Sequence, residues 1–551
     1  MGLEAILAKL LKPTWKFQWI DYMVAGIAGI TVYAAFFSLV YKVGMVAHLG
    51  LLLVALGVGY VNRKELSECL KKGKRLMFSW EGFFFLCFII LIAFFTSRGN
   101  FHTDTNIYHA QNIRLYEEYG IIKGMANLQL HYGYNSLYLA FAAILSMSWI
   151  LPWSLHTTTG FIELVLCLYA LHHLKEFRNH KSHLEDAGCV AILSYALVNV
   201  TGSMSPATDY PTMFLSLYLI TVWLRAVEKK AHYSVYALLS VFAVFLGTLK
   251  LSAIAMAFVV IYPAFYLIKE KKYREIAIYL GLGIVTLAPY LIRNVVLSGW
   301  LIYPFDAIDI FHVEWKVPLE YLLVDANQIK VWGRCLFDIN KVDMPMMQWI
   351  PIWWESQERY SQMLLLSNVL GIILAGCNLG YKWKHKMEVR AEMLTLYAGM
   401  LASAALWFLQ APFVRYGLGF LLVIPVLAMA SWFDYEKEGL HSIVTGSIVF
   451  LMFLCFSPYV DRYTTDAGVF LKQRMKEPYY ICQKDYDGGT TGSYEINGNT
   501  IYYNDYVVEE GERNSYHYFP NTCYEFMLER STLVSEDIKD GFVPKKMKNV
   551  K

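Results

Sequence analysis

Two acidic side chains adjoin the ends of apolar stretches and have the chemistry of a general base. Asp104 lies in a segment of mostly polar and aromatic residues, 98–134, and Asp209 lies in the proline-flanked turn 205–211. A carboxylate can accept a proton from an incoming hydroxyl when it lies within hydrogen-bond reach and has a suitable pKa. The sequence leaves a simpler role open for each: Asp104 is also placed to cap a helix that begins at Asn106, and Asp209 to be the solvated residue of a rigid turn.

Three cations, Lys250, Arg293 and Arg415, lie at the ends of other apolar stretches. A phosphate or pyrophosphate carried on a lipid needs partners of this kind, since arginine offers a forked set of donors and lysine a compact charge. For any one of these cations, the alternative is a side chain that extends from the end of a helix to the lipid headgroups. The three together favour an anion-binding site.

The segment 98–134 also holds three histidines, His102, His109 and His131, whose side chains can bind a metal or transfer a proton. Their spacing matches no strong metal-binding motif. Histidines that are hydrogen-bonded within a loop are the simpler interpretation.

The composition is that of a polytopic membrane protein. Hydrophobic residues make up 56% of the 551 residues and charged residues 17%, against about 25% charged residues in soluble proteins. The net charge of +3 gives no argument for nucleic acid as a partner. The lipid bilayer is the expected partner.

Thirteen apolar runs approach the roughly 20 residues that a helix needs to cross a bilayer. They are 20–42, 46–61, 79–97, 155–172, 187–203, 212–228, 233–248, 251–268, 275–292, 361–378, 391–408, 413–432 and 441–457. The sequence therefore predicts an all-α membrane bundle with a small soluble α+β tail.

The basic residues between these runs predict the orientation, because short cytoplasmic loops are enriched in Lys and Arg. Lysines at 9, 12 and 16 place the amino terminus inside, and six cations between 63 and 75 place the loop after the second helix inside. The third helix then leads outward, so the segment 98–134 lies outside. The same alternation directs four functional candidates outward: Asp209, Lys250, Arg293 and Arg415.

One stretch, 134–149, decides whether the basic loop at Lys175 stays inside. A spanning helix there would force that loop outside, against the charge rule. We therefore expect a helix that lies along the outer surface or dips into it, held by Trp149 and Trp153. An ordinary spanning helix with one reversed loop is the alternative.

The tail carries a hairpin signal at Asn497-Gly498, since this pair suits the positive φ angles of a type I′ turn. Cys482 and Cys523 are the cysteines of the tail, and either a disulfide between them or free thiols fit the sequence.

The expected units are N-terminal helices 1–97, a first outer loop 98–154, helices 155–292, a second outer loop 293–360, helices 361–457 and a tail domain 458–551.

Four stretches, set among these helices and loops, resemble the GT-C superfamily of integral-membrane glycosyltransferases, in particular its poorly characterised bacterial branch. They are Thr103-Asp104-Thr105 with Tyr108-His109, Tyr119-Gly120, Asn127-Leu128 and Gly133 to Ser136; Ser205-Pro206 with Asp209-Tyr210-Pro211; Lys250-Leu251-Ser252; and Pro412 with Arg415-Tyr416. The likeness covers most of residues 79–432 and is absent from the tail.

The resemblance implies a multi-pass protein of the bacterial cytoplasmic membrane, with its amino terminus in the cytoplasm and its tail outside. It would transfer a sugar from a polyprenyl-phosphate donor to a glycan or lipid-linked acceptor on the extracytoplasmic face. Asp104 matches the general base and Asp209 the second acidic position, while Lys250, Arg293 and Arg415 would hold the donor phosphate. The matching stretches also place three residues at the substrate: Tyr108, His109 and Asn135.

Asp104 is followed by Thr105 and Asn106 rather than by the paired acid that is usual in the family. The resemblance therefore leaves a divalent metal ion open and implies no other cofactor. Two other functions fit the same pattern: a polysaccharide polymerase or ligase that uses a lipid-linked oligosaccharide, and a transporter or flippase of lipid-linked sugars. A transporter is expected to place its polar residues near mid-membrane and to show repeat symmetry, and neither is clear here.

Overall fold

The computed structural model describes residues 15, 17–99, 102–174, 184–431, 472–473, 475–477, 482–486, 491–504, 514, 516–523 and 526–545. Over these residues the chain is mostly helical, with two small β-sheets near its carboxyl end. The predicted helix 441–457, the loop at Lys175 and the lysines at 9, 12 and 16 lie outside the described residues.

The helices of the apolar part follow one another in chain order. They are α1 (Trp19–Ser38), α2 (Met45–Val61), α3 (Arg63–Met77), α4 (Trp80–Thr96), α5 (Ala110–Glu118), α6 (Leu137–Leu145), α7 (Thr158–Leu174), α8 (Leu184–Val198), α9 (Asp209–Glu228), α10 (Tyr233–Leu249), α11 (Ile261–Lys269), α12 (Tyr273–Ser298), α13 (Leu319–Gly333), α14 (Met346–Glu355), α15 (Arg359–Lys384), α16 (Ala391–Gln410) and α17 (Val414–Ala430). A 3₁₀ stretch, Leu251–Val260, leads into α11.

A helix forms at each predicted apolar run that the structure describes, but thirteen membrane spans are not supported. Among the described residues six helices are long and apolar enough to cross a bilayer, or seven if the bent pair α2 and α3 counts as one span. Helices α4, α7, α10 and α17 are apolar but have 17 residues each. At 1.5 Å per residue they reach about 25 Å, short of a hydrocarbon core of about 30 Å. Over the described residues the chain is a membrane-associated helical protein with fewer full-length spans than expected.

Helix α9 is the centre of the bundle. Every residue from Asp209 to Val227 is buried, and the helix packs against α8, α10 and α17. A largely apolar helix that is enclosed by others is the expected core of a large bundle, and its buried Arg225 is paired with Asp21 at 2.8 Å. Its first residue, Asp209, is therefore held at the bundle end by the best-packed element of the fold.

The stretch 134–149 forms only the short helix α6, Leu137–Leu145. Nine residues rise about 13 Å, which is too short to cross a bilayer. The alternative of an ordinary spanning helix is therefore wrong. The residues from Leu137 to Ile144 are all buried and the helix packs against α1, so protein encloses this apolar helix.

The tail forms a three-stranded sheet of β1 (Thr491–Ile496), β2 (Asn499–Asn504) and β3 (Asn521–Thr522), and a two-stranded sheet of β4 (Ser531–Leu533) and β5 (Phe542–Pro544), with a short α18 (Phe526–Arg530). The predicted hairpin is confirmed: β1 and β2 pair antiparallel, and Asn497 and Gly498 have φ angles of 48° and 76°. No disulfide joins Cys482 to Cys523 in the described part of the tail; the first side chain is exposed and the second is buried.

The described part of the tail docks on the first long segment. Asn514, 5% exposed, donates from its amide to Ile107 O at 2.7 Å, Tyr132 Oη at 3.0 Å and Gln129 Oε1 at 3.1 Å. Gly124, with a φ of +60°, lies against the Phe542 carbonyl, where a Cβ atom would collide. The tail and the first segment share one small core.

We expect Asn514→Ala to loosen the tail from the first segment. The change leaves buried acceptors on Gln129 and Tyr132 without their amide donor, at a cost of about 1–3 kcal/mol. Limited proteolysis of the purified full-length protein, with mapping of the cleavage sites, measures the change. Ser493→Ala, at an exposed strand position, is the matched control, and equal cleavage of both variants would show that Asn514 does not hold the tail.

Candidate functional site

Asp104 lies in the short connection between α4 and α5, at the start of a π-helical turn, Thr105–His109. Single π-helical turns occur frequently at functional sites. The side chain makes no capping hydrogen bond to the described backbone, so the capping role is not what orients it. Instead, Asp104 Oδ2 lies 3.4 Å from His102 Nδ1 and 3.5 Å from Arg415 Nη2.

Asp209 is the first residue of α9, and its side chain is only 3% exposed. Its Oδ1 accepts from the Lys250 ammonium, and its Oδ2 lies 3.4 Å from Arg415 Nε. The interpretation of Asp209 as a solvated turn residue is therefore wrong. A carboxylate in the first turn of a helix is also stabilised by the positive end of the helix dipole.

Arg415, the second residue of α17, joins the two acids, since its guanidinium faces both carboxyls. With His102, Asp104, Asp209 and Lys250 it forms what we call the charged cluster. Tyr416 covers one side, with its ring centroid 4.2 Å from Lys250 Nζ and 5.0 Å from Arg415 Cζ. The cluster brings together parts of the chain that are separated by more than 300 residues, as the contact between Asp104 and Arg415 shows.

The charged cluster is open on one side. The side chains of Asp104, Lys250 and Arg415 are 29%, 25% and 25% exposed, whereas that of Asp209 is enclosed. Two carboxylates face Arg415 and Lys250, and burial, followed by the charge of Arg415, lowers the pKa of Lys250 to about 7, so the cluster carries no excess positive charge before anything binds. An incoming anion would meet cations that are already desolvated in part and held in place, which strengthens their interaction with it.

His102 belongs to the cluster, a role that its position in a histidine-containing loop did not indicate. Burial, and then the charges of Arg415 and Lys250, lower the pKa of His102 to about 2, so the ring stays neutral. Arg415 Nη1 contacts the Nε2 atom. Because arginine only donates, Nε2 is the acceptor of this contact, and the backbone N–H of Asp104 donates to Nδ1 at 3.1 Å.

The cluster does not have the composition of a cation site. No group of three His, Cys, Asp or Glu side chains converges as metal ligands in the part of the chain that the structure describes. The carboxyls of Asp104 and Asp209 already face Arg415 and Lys250, and these positive charges would repel a divalent ion.

Two residues expected at the site, Arg293 and Asn135, lie in a different set of contacts. Arg293 is 1% exposed and donates to Ser38 Oγ at 2.6 Å and to Gly120 O at 2.9 Å. Asn135 accepts from Arg293 at 3.3 Å and donates to Tyr290 O at 2.9 Å. The guanidinium ties α12 to α1 and to the first segment, so we exclude both residues from the site.

Tyr108 and His109 lie beside the charged cluster. The ring of His109 is 6.4 Å from that of His102 and 4.2 Å from that of Tyr108, between centroids. Neither ring nitrogen of His109 has a hydrogen-bond partner among the described residues, although the side chain is buried. Burial is the main reason that the pKa of His109 is lowered to about 3, so this ring is neutral as well.

We expect His102→Gln to make protein stability less sensitive to acid. The folded state keeps this imidazole neutral, whereas the unfolded chain binds a proton below about pH 6.5. The contribution of His102 to stability is therefore present above that pH and is lost as the pH falls towards 2. One such group lowers the free energy of unfolding by about 1.4 kcal/mol per pH unit in this range.

Thermal unfolding of the detergent-solubilised protein between about pH 7 and about pH 5 measures this slope. Glutamine keeps an acceptor for Arg415 but does not titrate. His517→Gln is the control, since the His517 side chain is 47% exposed. Wild-type and His102→Gln proteins with the same slope would contradict a neutral, buried His102.

Comparison with known proteins identifies the family. A family model described as a domain of unknown function, DUF8201, matches residues 2–422. No curated protein and no solved structure matches the chain. The match includes every residue of the charged cluster and ends within α17, before the tail. Because it covers most of the 551 residues, the chain belongs to the DUF8201 family.

Proposed function

We propose that this protein is a membrane glycosyltransferase that moves a sugar from a polyprenyl-phosphate donor to an acceptor hydroxyl. The observation that carries the proposal is the contact between Asp104 and Arg415, at 3.5 Å, with Lys250 joined to the same arginine through Asp209. A partly exposed carboxylate and two anchored cations at the end of an apolar bundle suit a reaction in which a hydroxyl is activated while a lipid phosphate departs.

In the proposed reaction the acceptor hydroxyl gives its proton to Asp104. The oxygen forms a bond to the anomeric carbon as the bond from that carbon to the phosphate oxygen breaks. Polyprenyl phosphate leaves with the electron pair, and Asp104 later returns its proton to water. One displacement of this kind inverts the configuration of the sugar.

Arg415 and Lys250 would hold the departing phosphate. Negative charge grows on the phosphate in the transition state, and preorganised positive groups are often the largest contribution to catalysis in such a step. Arg415 lies in the first turn of α17, where the helix dipole adds positive potential. A cation at the positive end of a helix is electrostatically unfavourable unless an anion is nearby. In the free enzyme the carboxylates of Asp104 and Asp209 supply the negative charge.

The distribution of charge supports a cytoplasmic amino terminus and an extracytoplasmic site in the bacterial inner membrane. Helix α4 ends next to the segment that carries Asp104, and α3 precedes α4. The exposed Lys and Arg side chains of α3 therefore lie at the opposite end of α4 from the cluster. Enrichment of cations at that end fits the cytoplasmic side.

Two other functions are less well supported. A flippase or transporter is expected to place its polar residues near mid-membrane on broken helices, whereas the cluster residues occupy a loop, helix starts and a helix end. A polymerase or ligase would use the same chemistry on a lipid-linked oligosaccharide. The size of the sugar on the accepted donor separates this alternative from a monosaccharide transferase.

We expect bare polyprenyl phosphate to stabilise the wild-type protein, and the substitutions Arg415→Met and Lys250→Met to remove most of this stabilisation. A ligand at 100 times its Kd stabilises by about 2.7 kcal/mol when it binds the folded state alone. The measurement is the thermal shift in detergent over a range of lipid concentrations. Lys341→Met, at an exposed pair with Asp338, is the matched control.

Asp104→Asn tests the base separately. We expect it to lower donor consumption, followed as released polyprenyl phosphate with an envelope extract as acceptor, by about 10²–10⁴-fold. Binding of bare polyprenyl phosphate should persist. Asp306→Asn, at an exposed position, serves as the control. Donor consumption at the wild-type rate in Asp104→Asn, or no stabilisation of the wild type by polyprenyl phosphate, would contradict the proposal.

A further inference from the structure

A continuous series of ring contacts leads away from the charged cluster. Beyond His109 and Tyr108, the ring of Tyr108 stacks on that of His131 at 5.4 Å and 14°. His131 meets Tyr134 edge to face at 5.4 Å, and Tyr134 lies 6.0 Å from Tyr303. These contacts join the first long segment to the second, since Tyr303 lies just after α12.

Three of these rings, those of Tyr108, His131 and Tyr134, are partly exposed, whereas Tyr303 behind them is buried. We call the three the aromatic patch. Among the described residues no lysine or arginine lies over the rings of the patch; the cations of this region stack on Tyr416 instead. The patch therefore offers partly exposed aromatic rings that carry hydroxyl and imidazole groups, without a cation stacked on them.

Asp325 on α13 supports the patch from behind. It is 1% exposed, and its Oδ1 accepts from the Tyr134 hydroxyl at 2.7 Å. Its Oδ2 makes no hydrogen bond of good geometry within the described residues, although the hydroxyl of Tyr303 lies beside the carboxyl. Burial raises the pKa of Asp325. Because this buried carboxyl accepts from the Tyr134 hydroxyl, it fixes the orientation of the Tyr134 ring.

We propose that the aromatic patch, held by Asp325, is the subsite for a sugar ring. This inference rests on the proposed function and adds the residues that bind the carbohydrate. A sugar ring presents C–H groups on its faces and hydroxyls around its edge, so it packs against aromatic faces while polar groups at their edges fix its orientation. The ring of His109 links the patch to the charged cluster, with its centroid 4.2 Å from that of Tyr108 and 6.4 Å from that of His102, so a sugar on the patch would lie next to the cluster that holds Asp104 and the cations.

The sugar can belong to the donor or to the acceptor, and the two sources give different binding results. A donor sugar adds affinity to the lipid phosphate to which it is attached. An acceptor sugar binds without any phosphate. Asp325 is a positioning residue in either case, because it acts through Tyr134.

The test compares thermal shifts of the full-length protein with bare polyprenyl phosphate, with polyprenyl-phosphate glucose, mannose, galactose and N-acetylglucosamine, and with the methyl glycosides of the same sugars. If the sugar belongs to the donor, we expect at least one sugar-bearing lipid to bind the wild type about tenfold or more tightly than bare polyprenyl phosphate does. If the sugar belongs to the acceptor, we expect at least one methyl glycoside to bind about tenfold or more tightly than an aliphatic compound that lacks the sugar. Tyr108→Leu and Asp325→Asn should remove this gain, which is the size expected for a hydrogen bond to a charged group or an aromatic contact. Glu320→Gln, an exposed acid on the same helix, should retain it.

The control within the experiment is bare polyprenyl phosphate, which should bind the patch variants within about twofold of wild type if they are folded. Failure of the wild type to bind this lipid would count against the proposed function. Normal binding of the bare lipid, with no gain from any sugar, or with the full gain kept in Tyr108→Leu, would overturn the sugar subsite alone. If Asp325→Asn fails to fold, Tyr134→Phe tests the same positioning, since it removes the hydroxyl and keeps the ring.

Discussion

The structure depends on the pairing of two carboxylates with two basic side chains at the end of an apolar bundle. Arg415 faces Asp104 and Asp209, and Asp209 also holds Lys250. Breaking a buried ion pair by removal of one partner typically costs about 3–5 kcal/mol, and the cost is smaller here because both cations keep a quarter of their exposure. Each member thus constrains the others, and the segments that carry them are held together by this requirement.

The same balance bears on the proposed reaction. In the empty site Arg415 lies against the carboxylates of Asp104 and Asp209. A phosphate on Arg415 and Lys250 would compete with these carboxylates for the cations, so donor binding would release the Asp104 carboxylate to face the acceptor hydroxyl. His102, neutral and in contact with both Asp104 and Arg415, would hold the carboxylate in place.

Much of the architecture could be predicted from the sequence, because apolar length, cations in loops and the Asn497-Gly498 turn are local signals. The sequence also predicted that Asp104, Asp209, Lys250 and Arg415 lie close together. The enrichment of Lys and Arg in cytoplasmic loops places all four residues on the same side of the membrane. Their catalytic and phosphate-binding roles stay predictions. The same rule selected Arg293, whose buried contacts have no local signature, since Ser38 and Gly120 are far from it in the chain.

Other features depend on long-range packing that no periodicity reports. The enclosure of α6, the docking of the tail through Asn514 and the position of Asp325 behind Tyr134 each join segments far apart in sequence. Asp325 is one acid among several in a Trp-rich segment, and nothing in its neighbours marks it as buried. His102 lies close to Asp104 in the sequence, which is the one signal that could have placed it in the cluster.

The most direct measurement of the central claim is an experimental structure of the protein in lipid nanodiscs with bound polyprenyl phosphate. The account predicts phosphate density within about 4 Å of the Arg415 guanidinium and the Lys250 ammonium, the range of an ion pair, with the Asp104 carboxylate displaced from Arg415. Phosphate density elsewhere on the bundle, with the contacts of Arg415 to Asp104 and Asp209 unchanged, would contradict it.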